Sequence, residues 1–146
     1  MVAIAHNAKV NDLVIDLSHS LLQYAADTGV WSDSEASRQT LEKAAAQQRR
    51  DVGRLIDLLT ERGWPIDSGT YPTDFTDLQF LSLEYLLPRI IEDQQGLVEE
   101  LEEAVHTCID DAAAVALLRE ALENERHIAA ELRALSTKAV AAPATV

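Results

Sequence analysis

The sequence predicts an all-α protein, a four-helix bundle with a long connection between its second and third helices. Three observations carry that prediction. Apolar residues recur every three or four positions over most of the 146 residues, strand-like alternation is absent, and Gly and Pro punctuate the chain at only a few places. A chain of this length with 47% apolar residues can bury one sizeable core.

The first helix is expected from about Lys9 to Thr28. Val10, Val14, Leu17, Leu21 and Tyr24 share one face, and Gly29 stops it. The second is announced by "SDSE", where Ser32 and Glu35 have the spacing of a capping box, and it should reach about Arg62 before Gly63 and Pro65. Its buried stripe is Leu41, Ala45, Gln48, Val52, Leu55 and Leu59. The third begins near Thr73 or Thr76 and reaches about Thr107, with Pro88 removing one backbone bond and kinking it near Glu84. The fourth starts at Asp110 or Asp111 and frays after Thr137. The bundle is thus assigned residues 1–138, and 139–146 are read as a flexible tail.

The connection "GWPIDSGTYPTDF" decides the topology. A helix from Ser34 to Arg62 is about 43 Å long, and some thirteen residues of extended chain span about that distance. A simple hairpin would need only ~2 to 8 residues. A crossover that leaves helices two and three parallel is therefore favoured. The alternative is an antiparallel hairpin with an ordered excursion anchored by Trp64 and Tyr71.

Composition narrows the partners. With 25 acidic and 12 basic side chains the formal charge is −13, which repels a phosphate backbone and an anionic membrane surface. Nucleic acid and lipid are discounted. The lone Cys108 cannot form an intramolecular disulfide, the N-terminal residues lack a signal-peptide pattern, and no run approaches the ~20 apolar residues of a membrane span. A cytoplasmic protein is expected.

A bundle holds a cofactor at its centre, so the polar residues inside the apolar stripes matter most. On helix three, Leu83, Leu87, Ile90, Gln94, Leu97, Leu101 and Ala104 put Gln94 in line with the core; on helix four, Leu117, Ala121, Asn124, Ile128 and Leu132 do the same for Asn124. Helix two adds Gln48 on its stripe and Gln47 at its edge. Amides are poor iron ligands but good partners for one another, so these residues are expected to form a hydrogen-bonded layer that fixes helix register.

With "NDLVIDLSHSLLQY", "QQRRDVGRLIDLLTERG" and "LENERHIAAEL" on three of its helices, the chain resembles the ferritin-like superfamily, in particular bacterioferritin and rubrerythrin relatives. The resemblance places six former di-iron ligands at Leu17, Gln47, Arg50, Gln94, Asn124 and His127, of which only His127 keeps a ligating side chain. It implies a ferritin-like fold whose di-iron site is lost, no cofactor, and a non-enzymatic helper or interaction role. The rival expectation is a di-metal redox or iron-handling protein that binds iron or manganese through displaced carboxylates, drawn from Glu84, Glu92, Asp93 and Glu123 with His127. A register one turn out would bring in Asp51.

Other constellations read as ordinary structure. Glu123 and Glu125 flank the stripe as a solvated face, Cys108 is a small buried hydrophobe, and the run from Glu99 to Glu103 is a charged helix surface. Trp64, Tyr71 and Phe75 pack onto their own bundle or else anchor a homodimer through the 63–75 loop.

Overall fold

The computed structural model describes residues 2–78 and 81–141. It is all-helical: α1 (Val2–Ser18), α2 (Leu21–Asp27), α3 (Glu35–Glu61), α4 (Leu83–Thr107) and α5 (Ala112–Ala141), with a 3₁₀ turn over Thr73–Leu78. No strand occurs among the described residues, and no helix there is long and apolar enough to cross a membrane.

Several boundaries differ from the sequence expectation, each because a side chain captures a backbone amide. The single first helix becomes two, since the buried Ser20 accepts from Gln23 N and restarts the chain as α2, while Asp93 of α4 accepts from Leu21 N at 2.9 Å. The α3 cap is Ser34, not Ser32, because Ser34 accepts from Ser37 N. Ser32 instead donates to Glu84 at 2.6 Å, and Glu35 pairs with Arg38. The third expected helix starts late: Thr73–Leu78 is only a 3₁₀ turn, and Ser82 caps α4 through Tyr85 N. Helix α5 continues past Thr137 to Ala141, so part of the expected tail is helical and residues 142–146 lie outside the described residues.

Hydrogen bonds fix the direction of each helix. At one end, Arg62 after α3 makes two bonds to Asp111, 2.7 and 2.8 Å, and a third to Asn7 of α1 at 2.9 Å, while His6 Nδ1 lies 3.2 Å from Asp111. This end therefore joins the start of α1, the close of α3 and the turn between α4 and α5. At the other end, Leu83 N donates to the Trp31 carbonyl at 2.7 Å, beside the Ser32–Glu84 bond. Helices α3 and α4 thus run in the same direction, and the described residues of the connection, 62–78 and 81–82, travel along the molecule between them.

That connection is fastened along α1 and α2. Asn11 holds the Asp67 backbone by two bonds of 3.1 Å, and Gly69 lies against Ile15. Tyr71 stacks edge-on to His19 and Tyr24 at 4.8 and 5.3 Å and donates to Asp27 at 2.5 Å. Trp64 and Ile66 pack on the core beneath.

The core has two halves. One gathers Val10, Leu13, Leu17, Val52, Leu55, Leu59, Leu97, Leu101, Leu118 and Leu122. The other gathers Leu21, Leu22, Leu41, Ala45, Leu83, Leu86, Ile90, Ile128 and Leu132. On α3 the halves meet between Ala45 and Val52, and on α4 between Ile90 and Leu97. Polar side chains fill that level.

Two predictions follow from the fastenings. Gly69 has φ +66°, and a Cβ there would sit 2.6 Å from Ile15 Cγ2, so Gly69→Ala should lower stability by about 1–3 kcal/mol in urea unfolding. Adding Ile15→Ala should relieve the clash but leave the backbone strain. The Arg62 guanidinium holds the Asp111 carboxyl well below the usual carboxylate range. A depressed acid stabilises the fold above its ordinary pKa and loses that contribution as pH falls, so melting temperature should drop below pH about 4, with a shallower drop for Asp111→Asn.

Candidate functional site

The polar level at the middle of the molecule is one connected network, and its amide orientations are forced. Gln94 places its NH₂ on the backbone carbonyl of Glu125 at 3.0 Å, because a carbonyl only accepts. Its oxygen then faces the NH₂ of Gln48 at 3.3 Å. The Gln48 oxygen in turn accepts from the Ser20 hydroxyl at 2.7 Å and from Gln23 Nε2 at 3.0 Å. Gln23 is oriented at both ends, donating to the Ala45 carbonyl at 2.8 Å and accepting from Arg49 at 3.0 Å. Each amide orientation follows from its neighbour, starting at backbone carbonyls and at Arg49.

These donors converge on Glu125, which is 0% exposed. Its Oε1 accepts from Gln48 Nε2 at 2.7 Å and Gln94 Nε2 at 3.0 Å. Asp51, 2% exposed on α3, is held similarly: its Oδ1 accepts from Asn124 at 2.8 Å and Gln47 at 3.2 Å. The remaining oxygens, Asp51 Oδ2 and Glu125 Oε2, are buried without a hydrogen-bond partner. Burial, and then the nearby Asp51 carboxyl, push the Glu125 carboxyl up to about 8 against the opposing pull of the two Gln donors.

The expected layer is therefore present in part. Gln48 and Gln94 meet as anticipated, whereas Asn124 turns to Asp51, and Gln47 is half-buried at the edge. Arg50 and His127 do not join: Arg50 is exposed and donates to Gln47, and His127 is 76% exposed and paired with Glu131 at 2.8 Å. Leu17 lies in the apolar half next to the layer.

The structure does not bring the alternative carboxylates together. Glu84 is tied to Ser32, Glu123 is exposed on α5, and Glu92 and Asp93 line an open groove of about 610 Å³ between α1, α2 and α4. Among the described residues no three His, Cys, Asp or Glu side chains gather as a metal would require. Trp64 and Tyr71 pack onto their own bundle, while among the described residues the exposed large aromatics are Trp31 and Tyr85.

Glu125, expected on a solvated face, and Asp51, expected only with a register one turn out, are the acids at the centre of the layer. On α5 the expected stripe is buried at Ala121, Ile128 and Leu132, whereas Leu117 and Asn124 are only half-buried, and Leu118, Leu122, Glu125 and Ala129 make up the rest of the buried face. One charged residue inside a perfect four-three apolar stripe was the available signal.

Comparison with protein-family models, curated proteins and solved structures returns no match for this chain.

Removing a hub of the network leaves partners unpaired, whereas removing an exposed residue does not. Gln94→Ala should cost about 2–4 kcal/mol by denaturant unfolding, and Gln48→Ala at least as much. Arg50→Ala and His127→Ala should fall within about 0.5 kcal/mol of the parent.

Proposed function

We propose that this chain is a ferritin-like bundle with a non-enzymatic helper or interaction role, in which a closed hydrogen-bond layer occupies the level where relatives of that type hold two metal ions. The observation that carries the reading is the direction of the amides. Gln48 and Gln94 both point N–H groups at Glu125 Oε1, and Asn124 and Gln47 point theirs at Asp51 Oδ1. A cation at either oxygen would meet the positive ends of those dipoles, so the donor set fits a proton or an amide better than a metal.

The spacing supports the same ancestry. Di-metal bundles supply a Glu from each of two helices and a Glu-x-x-His pair from each of the other two. Here α3 offers Gln48 and Asp51 three apart, α4 offers Gln94, and α5 offers Glu125 with Ile128 three further on. The parallel α3 and α4, with their long connection, agree with the crossover of such bundles. An interaction role draws support from the exposed Trp31 and Tyr85, which share the end where α4 begins.

Metal analysis of protein purified without chelators is expected to find no stoichiometric iron or manganese, and iron-oxidation assays no activity. Rebuilding the pattern with Gln48→Glu, Gln94→Glu and Ile128→His should create divalent-metal binding, read as a metal-dependent rise in melting temperature. Stoichiometric metal in the parent would overturn the proposal. Failure of the rebuilt, folded variant to bind metal would overturn the assigned ancestry.

A further inference from the structure

Trp31 presents its ring to solvent from a fixed piece of backbone. Leu83 N donates to the Trp31 carbonyl at 2.7 Å, yet the residue is 62% exposed. An aromatic ring held in this way loses little freedom when a partner covers it, and such rings dominate the energetics of protein interfaces. Trp31 borders a groove of about 550 Å³ where the first turns of α3 and α4 meet the last part of α5. Its apolar lining is the buried Leu83 and Leu87 together with the half-buried Leu135. Three helices therefore bound an apolar trough large enough for a binding site, with an exposed indole at its edge.

The charge of the groove selects among occupants. The charged residues that line it are Asp33 and Glu84, both acidic. Ser32 donates to Glu84, and no salt bridge among the described residues reaches either carboxylate. The amino-terminal dipoles of α3 and α4 open on the same side, each worth roughly half a positive charge, and Ser34 and Ser82 already cap them. Two full carboxylates outweigh them, so the rim stays negative. Arg38 is spent on Glu35, and Lys43 stands on α3 beyond the lining residues. A second copy docked about a two-fold axis would press its own Asp33 and Glu84 onto the same rim, with −13 on each chain. A segment of opposite charge meets no such penalty.

We propose that this groove is the docking site for the interaction role assigned above, an inference that rests on that reading, and that its occupant is a basic amphipathic helix of a partner protein. Apolar side chains spaced along one face of that helix enter the trough over Leu83, Leu87 and Leu135, and Trp31 covers them from the edge. Lys or Arg side chains flanking that face meet Asp33 and Glu84, which fix orientation and speed association.

The test titrates the full chain by calorimetry with three synthetic, Trp-free helical peptides: one of Leu and Lys with Leu along one face, its Leu and Glu counterpart, and a Ser and Lys peptide of the same charge as the first. The Leu and Lys peptide should bind saturably at a single site, and the other two at least about tenfold more weakly. Trp31→Ala should weaken binding about tenfold or more. Asp33→Asn with Glu84→Gln should weaken it and flatten its salt dependence, whereas Glu61→Gln with Glu99→Gln, exposed acids outside the groove, should stay within about twofold of the parent. NMR shift changes should centre on the Trp31 indole N–H, Ser37 and Leu87. Absence of saturable binding, equal binding of the Ser and Lys peptide, unchanged affinity in Trp31→Ala, or shift changes centred on the acidic groove at Asp16 and Glu92 would overturn the proposal. Self-association of the parent that Trp31→Ala abolishes would also overturn it, in favour of a second copy. Metal content judges the broader reading separately, so a failed titration in metal-free protein removes the groove assignment alone.

Discussion

A buried primary amide must use both its N–H donors and its oxygen, and in this protein Gln48 can do so only where four helix segments meet. Its oxygen takes Ser20 and Gln23 from the first part of the chain; its nitrogen reaches Gln94 of α4 and Glu125 of α5. An orphaned buried polar atom costs about 1–3 kcal/mol, so sliding any of these segments along its axis would be opposed by several lost bonds at once. Apolar contacts alone lack that directionality, because leucines tolerate small shifts. The layer sets the register in which the two apolar halves pack.

The rest of the architecture holds the layer in place. Arg62, Asp111, Asn7 and His6 fasten one end, and the Trp31–Leu83 backbone bond fastens the other. The connection between α3 and α4 is as long as the helices it joins and would be free to wander if it were not fixed to α1 and α2. Asn11, Ile15, His19, Tyr24 and Asp27 meet it in order from one end to the other, so the connection runs alongside the first two helices. The break at Ser20 belongs to the same design: it turns a hydroxyl into the core and leaves Leu21 N to be capped by Asp93.

Much of the fold was legible because it depends on periodicity and on chain length. The apolar stripes of α3 and α4 lie where the spacing puts them, and Gln48 and Gln94 face each other as their stripe positions require. Boundaries were less legible, since Ser20, Ser34 and Ser82 compete with other Ser and Thr residues nearby and only the fold decides which one meets a free amide. The site was half legible. A glutamate is read as solvated by default, so Glu125 is assigned to the surface, although Ala121, Ile128 and Leu132 of the expected α5 stripe are buried beside it. Once Glu125 is inward, Asn124 can only reach sideways to Asp51, and His127 rotates to solvent.

The central claim is that the Gln48 layer is closed, with its amide hydrogens buried and committed to fixed acceptors. Side-chain amide exchange, measured by NMR on the folded parent, tests this directly. The account predicts that the Nε2 hydrogens of Gln48 and Gln94 exchange with solvent orders of magnitude more slowly than those of exposed Gln39. Exchange of Gln48 and Gln94 at the Gln39 rate would mean that the layer is open to water, and would contradict the account.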